Sequence, residues 1–381
     1  MAGIKRTLNI EADLKRKSVL LLGPRRTGKS YYIKNQLKPN VTYDLLKADV
    51  FRELSARPEL IRQRLKPTDK LVVIDEIQKL PSLMDEVHGL IENTTTRVLL
   101  TGSSAKKLKR NYTSLMAGRA TIRHMHPFCS AELPGKLNLS NILNHGSIPP
   151  VFFSEEPKLE LADYVGTYVK EEVQSEALVR RIENFSRFLE FAARANGEIL
   201  NFESTGSDAQ VPARTVREYY QVLEDTLVGY RLEPIKSSQS RKSVATGKFF
   251  FFDIGVVNSL CGRKEIIDQS EDWGRALEHF VFLELLALKD YQERDLKIQF
   301  WNSPREGEVD FILNEEIAIE VKASKNINNQ HLKSLRLFSS ASKPRKQIVV
   351  CQEKAPRKID QVQILPVHEF LKQLWSGEIT A

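Results

Sequence analysis

The sequence predicts an α/β protein: a parallel-sheet module built around a phosphate-binding loop, then a helical segment closed by a hairpin, then a second α/β segment. Three observations predict it. The apolar run Ser18-Val19-Leu20-Leu21-Leu22 leads directly into Gly23-Pro24-Arg25-Arg26-Thr27-Gly28-Lys29-Ser30, a GxxxxGKS loop between a strand and a helical stretch. A second apolar run, Leu71-Val72-Val73-Ile74, ends in Asp75-Glu76. Beyond residue 160, apolar residues first recur at helical and later at strand spacing.

The chain has 381 residues, which predicts more than one domain, and its composition is that of a globular protein. No apolar run reaches the length of a membrane span. The first sixteen residues, Met1 to Arg16, are polar and charged and lack a signal-peptide core. Cys129, Cys261 and Cys351 are isolated, so neither a zinc signature nor a disulfide framework is present, and a reducing cytoplasm is the expected home. The net charge of +8 is compatible with nucleic acid without requiring it.

In the first module, residues 1–160, Gly23 and Gly28 let the backbone wrap so that successive amides face one anionic centre. Pro24, Arg25, Arg26 and Thr27 complete the loop. Lys29 can reach the β- and γ-phosphates of ATP, and the Ser30 hydroxyl can ligate Mg²⁺. Val41 to Asp44 reads as a strand and Arg52 to Leu65 as a charged helix. The strand ending at Asp75-Glu76 has the Walker B pattern: Asp75 would hold Mg²⁺ through water and Glu76 would polarise the attacking water. A third apolar strand, Arg97 to Leu100, runs into Thr101-Gly102-Ser103-Ser104. Ser103 is placed to sense the γ-phosphate or to cap the following helix, and the two roles are compatible.

In residues 161–260, Leu161 to Val179, Ile182 to Ala195 and Ala213 to Leu227 read as helices. Val228 to Leu232 and Lys248 to Asp253 read as strands flanking a polar loop. Helix, turn, helix and hairpin is the winged-helix order. Arg214 and Arg217 would lie on the outer face of the recognition helix, and Lys236, Arg241 and Lys242 in the wing would meet DNA phosphates. The same features suit a spacer or a protein-binding module.

In residues 261–381, Trp273 to Leu288 reads as a helix, and Lys297 to Trp301, Gly307 to Leu313 and Ile317 to Lys322 as strands. Alternation puts Glu320 and Lys322 on one face, and the turn at Asn314-Glu315-Glu316 returns Asp310 beside them. Gln347 to Val350 reads as a further strand and Leu365 to Trp375 as a closing helix.

The combination GPRRTGKS, LVVIDEIQKL, VLLTGSSA, AGRA and HPFCSAEL resembles a large group of prokaryotic AAA-type ATPases. In that group a Gly-Gly-x-Pro-like turn follows, here His145-Gly146-Ser147-Ile148-Pro149-Pro150, with Ser147 as a departure. The resemblance implies that Arg119 acts on the transferred phosphoryl group, although a solvated surface arginine would look the same. TVREYYQVLEDTLVGYRLEPI and KFFFFDIGVVNSL are similar to the accessory domain of the same group. GRALEHFVFLEL together with GEVDFIL and IAIEVKAS resembles the restriction-endonuclease-like PD-(D/E)xK core, with Val309 where that motif has proline. That resemblance implies metal ligation by Glu278, Asp310 and Glu320, and a Lys322 that positions the attacking water. A surface hairpin with an ordinary Glu/Lys pair is the other reading. The expectations are thus ATP and Mg²⁺ as cofactors and DNA as partner, with a protein partner or a second copy of the chain as further candidates and no membrane. The function expected is ATP hydrolysis coupled to a DNA-binding, DNA-cleaving C-terminal region, or a nucleotide-dependent switch without cutting.

Overall fold

A computed structural model describes residues 3–104, 118–169, 182–235, 246–292, 294–303 and 307–381. The chain forms two compact units: residues 1–128 with 225–228, and residues 129–224 with 229–381.

The first unit carries a five-stranded parallel sheet. Its strands are β1 (Ser18–Leu22), β2 (Val41–Asp44), β3 (Leu71–Asp75), β4 (Arg97–Gly102) and β5 (Ala120–His124), in the order β2-β3-β4-β1-β5. Every residue of β1 is buried, and β3 and β4 are buried beyond their first residues, as expected of strands covered on both faces. Leu20, Leu22, Val72, Ile74, Val98 and Leu100 join Leu54, Leu83, Val87 and Leu90 of the covering helices in one core. The charged stretch after β2 forms two helices, Ala48–Ala56 and Leu60–Gln63, rather than one. Pro58 disfavours helical backbone at Arg57, whose φ of −142° and ψ of 74° lie outside the helical region. Strand β5 was not read from the sequence: its residues are only half-buried or exposed, so its apolar signal is weak. At that edge Arg123 donates two 2.7 Å hydrogen bonds to the Asp13 carboxylate.

The second unit carries the helices Leu139–His145, Pro149–Phe153, Pro157–Asp163, Ile182–Arg194, Phe202–Ala209 and Ala213–Asp225, the last of which ends at the unit boundary. The short Phe202–Ala209 helix is absent from the sequence reading; Asn201 caps it by accepting from the Ser204 N–H at 3.0 Å. Strands β6 (Gly229–Pro234) and β7 (Lys248–Phe251) pair antiparallel. Helices Ile254–Leu260 and Glu271–Tyr291 follow, then β8 (Ile298–Ser303), β9 (Gly307–Leu313), β10 (Ile317–Val321), the helix Lys333–Ser342, β11 (Lys346–Cys351), β12 (Arg357–Ile359), β13 (Val362–Pro366) and the helix Val367–Ser376. The eight strands form one sheet in the order β12-β13-β11-β10-β9-β8-β6-β7. The hairpin β6–β7 is therefore continuous with the C-terminal strands: β6 runs parallel to β8 through Glu233 and Pro234, and the Ile235 N–H donates to the Phe300 carbonyl at 2.8 Å. Leu365, expected at the start of a helix, lies in β13, because the residue before Pro366 favours extended backbone and the helix starts after that proline.

The turn at residues 145–150 serves the fold of this unit. Gly146 has φ +73°, and a Cβ there would lie 2.0 Å from the Asp253 carboxylate. That carboxylate accepts from the backbone N–H of Ser147 at 2.8 Å and of Val256 at 3.2 Å, so it caps the helix Ile254–Leu260 while holding the turn. Burial pushes Asp253 up to about 7, although the backbone N–H groups of Ser147 and Val256 work against the shift. Ser130 of the HPFCSAEL stretch is likewise held inside this unit. Its N–H and hydroxyl both donate to Glu284, which also accepts from the Trp375 indole at 2.7 Å.

No helix among the described residues is long and apolar enough to cross a membrane.

Candidate functional site

The loop between β1 and the Lys29–Tyr32 helix passes so close to the β5 end that a Cβ on Gly23 would meet the Met125 carbonyl oxygen at 2.4 Å. Gly28 has φ +95°, the left-handed conformation that turns the chain into the helix. Arg6 braces the loop from outside. It donates to the carbonyls of Thr27 and His126, each at 2.6 Å, and stacks on Phe128. The Thr27 hydroxyl donates to the Pro24 carbonyl at 2.9 Å, closing the loop on itself. Lys29 is buried, and its ammonium donates to the Gly23 and Pro24 carbonyls at 2.7 and 3.0 Å. Arg25 and Arg26 are half-buried, and Arg26 adopts φ +61°.

Ser30 is exposed, and its hydroxyl donates to Asp75 Oδ2 at 3.0 Å. This contact joins the loop after β1 to the end of β3 across the intervening β4, at the carboxyl edge that all the strands of a parallel sheet share. Asp75 Oδ1 accepts from the Thr101 hydroxyl, which in turn accepts from the Glu76 N–H at 3.1 Å. Glu76 has φ +60°, uncommon for a residue with a side chain and characteristic of functional positions. Its carboxylate accepts from the Gln78 amide and from the Ser103 hydroxyl, the latter at 3.4 Å, and Gln78 also donates to Ser103 at 3.1 Å. The structure thus brings together Lys29, Ser30, Asp75, Glu76 and Ser103. It adds Thr101 and Gln78, which the sequence reading missed; Thr101 stood in the TGSS run and could have been found there. Arg119 is held elsewhere on the unit: its guanidinium pairs with Glu92 at 2.7 Å and meets His88 at 3.0 Å, both on the helix Met84–Asn93.

In the second unit the side chains of Glu278, Glu308 and Asp310 offer ligand atoms within 4.8 Å of one another. Glu278 comes from the helix Glu271–Tyr291, and Glu308 and Asp310 share one face of β9 by alternation. Asp310 accepts from the Val321 N–H at 2.7 Å, which ties β9 to the end of β10. Glu320 is buried and pairs with Lys322 through Oε1 at 2.5 Å, while its buried Oε2 has no hydrogen-bond partner. Lys248, the first residue of β7, enters the same cluster. Its ammonium lies 2.8 Å from Glu278, pairs with Glu308, and sits over the Phe300 ring. Burial first, with the neighbouring Asp310 carboxylate adding to it and the paired lysines opposing it, raises Glu278 to about 7 and Glu320 to about 8. Asp310 is raised by burial too. Burial pulls the two lysines down, but the carboxylates around them more than reverse this and hold both above the usual lysine value. Lys248 and Glu308 were not anticipated. Glu308 could have been found two residues before Asp310, whereas Lys248 had no local signal beyond a lone lysine opening a run of phenylalanines.

Of the residues expected to meet DNA, Arg214 is exposed and pairs with Glu218. Arg217 stacks on Phe202 with 5.0 Å to the ring centre and lies near Glu203. Lys236, Arg241 and Lys242 lie outside the described residues, as does the stretch 170–181 of the first expected helix.

Residues 15–133 match the family model described as AAA domain. Residues 136–266 and 273–370 match two further models, each described as a domain of unknown function (DUF8612 and DUF4143). Uncharacterized proteins of Mycobacterium bovis and Mycobacterium tuberculosis are each 23% identical over 301 residues; the match takes in 77% of this chain and 66% of theirs. An uncharacterized protein of Methanocaldococcus jannaschii is 24% identical, over 86% of this chain and 79% of its own length. Among solved structures, the Aeropyrum pernix ORC1 protein in complex with DNA is 13% identical and superposes with a TM-score of 0.26, over 68% of this chain and 94% of that one. Residues 15–133 thus match an AAA domain, and the same segment carries the GxxxxGKS loop and the parallel sheet.

Proposed function

We propose that the chain hydrolyses ATP and uses the cycle to change how its later segments hold DNA. The observation that carries this reading is the Ser30–Asp75 hydrogen bond, with Glu76 next in sequence. A loop that only bound phosphate would not need two carboxylates facing it from the end of β3, two strands away. Ser30 and Asp75 would hold Mg²⁺, which neutralises phosphate charge when bound. Lys29 leaves neutral carbonyl partners for the anionic β- and γ-phosphates. Glu76 orients the attacking water, and Ser103 and Gln78 fix the direction of its carboxylate. Lys29→Ala is the test: phosphate release from ATP should fall to background, and undiminished release would overturn the reading.

For the remaining chain the reading is a winged-helix segment at 161–260 and a restriction-endonuclease-like segment at 261–381, following the AAA-type module at 1–160. Support comes from the helices and hairpin between Ile182 and Phe251 and from the carboxylates gathered around Asp310. The donor set suits a divalent cation: Glu278 and Asp310, expected from the sequence, would hold it together with Glu308, with Glu320 as a further buried carboxylate nearby. Divalent-metal-dependent nicking of supercoiled DNA that disappears in Asp310→Ala would establish cutting. A specific observation favours the second reading, a nucleotide-dependent switch that grips DNA or a protein without cutting: Lys248 already pairs with two of the carboxylates. DNA affinity with a steep salt dependence that flattens in Arg214→Ala/Arg217→Ala tests the grip; an unchanged slope would count against contact through that helix.

A further inference from the structure

The carboxylate cluster of the second unit has an unusual charge inventory. Glu278, Glu308, Asp310 and Glu320 would carry four negative charges if all were ionised, and Lys248 and Lys322 carry two positive ones. Two negative charges remain in a cluster whose Asp310 and Glu320 are buried, and burial of unpaired charge is costly. They can be compensated by two protons or by one divalent cation. Lys322 serves Glu320 alone among the recorded ion pairs, from the neighbouring strand position. Lys248 is different. It arrives from the far edge of the sheet, its side chain is 3% exposed, and its ammonium bridges Glu278 and Glu308, two of the three residues that could share one ion. The buried, unpartnered Oε2 of Glu320 is a further donor atom in this cluster with no partner of its own.

We propose that Lys248 is the resident cation of this cluster, standing between Glu278 and Glu308 where a divalent ion would bind, so that lysine and metal compete for the same carboxylates. The inference rests on the reading that these carboxylates can hold a metal; it does not depend on whether DNA is cut. A point charge on a flexible stem suits the role, because a lysine can withdraw along its own rotamers without a change of fold. The cluster would load metal when Lys248 withdraws and return to a metal-free, charge-compensated state when it re-enters.

The test is Mn²⁺ uptake by the full chain without nucleotide, read from the electron paramagnetic resonance of free Mn²⁺ and from calorimetry. All proteins carry Ser30→Ala to silence the P-loop. Lys248→Met should bind one Mn²⁺ at least about tenfold more tightly than the Lys248 protein, since a competing charge has gone. Its Tm should be lowered without metal and restored by Mn²⁺. Should Lys248→Met fail to fold, Lys248→Gln, which keeps a hydrogen-bond donor and leaves all four carboxylates in place, should also bind more tightly than the Lys248 protein. Equal affinity with and without Lys248 would overturn the competition. Uptake by none of the proteins would overturn it too, by showing that the metal reading of the cluster itself had failed.

Discussion

Each unit buries a lysine, and the hydrogen-bond acceptors recorded for the two differ. Lys29 donates to the neutral carbonyls of Gly23 and Pro24, while Asp75 and Glu76 are satisfied by hydroxyls and an amide. Lys248 is paired with two carboxylates and is itself a structural counter-ion. A lysine on neutral acceptors can be surrendered to an incoming phosphate at small cost. A lysine that neutralises buried acids cannot leave unless another cation replaces it. The first arrangement is suited to turnover, and the second to holding a state.

The largest effect should come from breaking the first arrangement. Lys29→Ala should reduce ATP hydrolysis by about 100-fold or more, measured by phosphate release, as the loss of a preorganised charge at the reacting phosphate does. Glu76→Gln should reduce turnover by about 100-fold while leaving ATP affinity nearly unchanged, since the amide keeps the shape but not the basicity; weakened binding in equilibrium titrations would instead make Glu76 a binding residue. The stability of the two lysine variants sharpens the contrast. Lys248→Ala should cost about 3–5 kcal/mol in urea unfolding at neutral pH, because it leaves buried carboxylates uncompensated. Lys29→Ala, which takes a donor from the Gly23 and Pro24 carbonyls, should cost less. Equal losses would erase the distinction.

The smallest effect is a pH dependence in the second unit. Asp253 sits at about 7 in the folded chain, above its ordinary value of 3.8, because it is buried. The folded state therefore takes up this proton more readily than the unfolded state. The stabilisation is fully present below the ordinary value and is lost as pH rises through about 7. Tm should fall between pH 5 and pH 8 by several degrees, and Asp253→Asn should flatten that slope while lowering Tm throughout by weakening the cap. A slope unchanged in Asp253→Asn would place the titration on other groups.

Much of the P-loop site was legible because its chemistry is written in contiguous runs: the loop, the Asp75-Glu76 strand end and the TGSS stretch. Chain order and strand ends were enough to foresee that Ser30 and Asp75 would meet. Strand β5 was not legible, because an edge strand that is half-exposed has little apolar pattern to read. Alternation placed Glu320 beside Lys322 and Asp310 nearby. It could not supply Lys248, whose partners lie 30 and 60 residues further along the chain and meet it only through the sheet. The split at Pro58 and the late start of the last helix at Val367 were both carried by prolines whose effect on the preceding residue outweighed the apolar pattern. The Gly146 turn was legible only as part of the family resemblance, and its geometry is that of a socket for Asp253.

The continuity of the sheet from β13 to β7 sets where the chain can be divided. A fragment beginning near residue 261 would contain every carboxylate of the cluster and most of the strands. It would also lack β6 and β7, leaving β8 with an unpaired edge, and unprotected edges recruit strands from other chains. The same cut would remove Lys248 and leave the acids without their cation. The sensible unit of expression, evolution or exchange is therefore the hairpin together with the strands it extends: severed from it, the C-terminal segment should be prone to aggregation and should bind metal for reasons that the whole chain does not share.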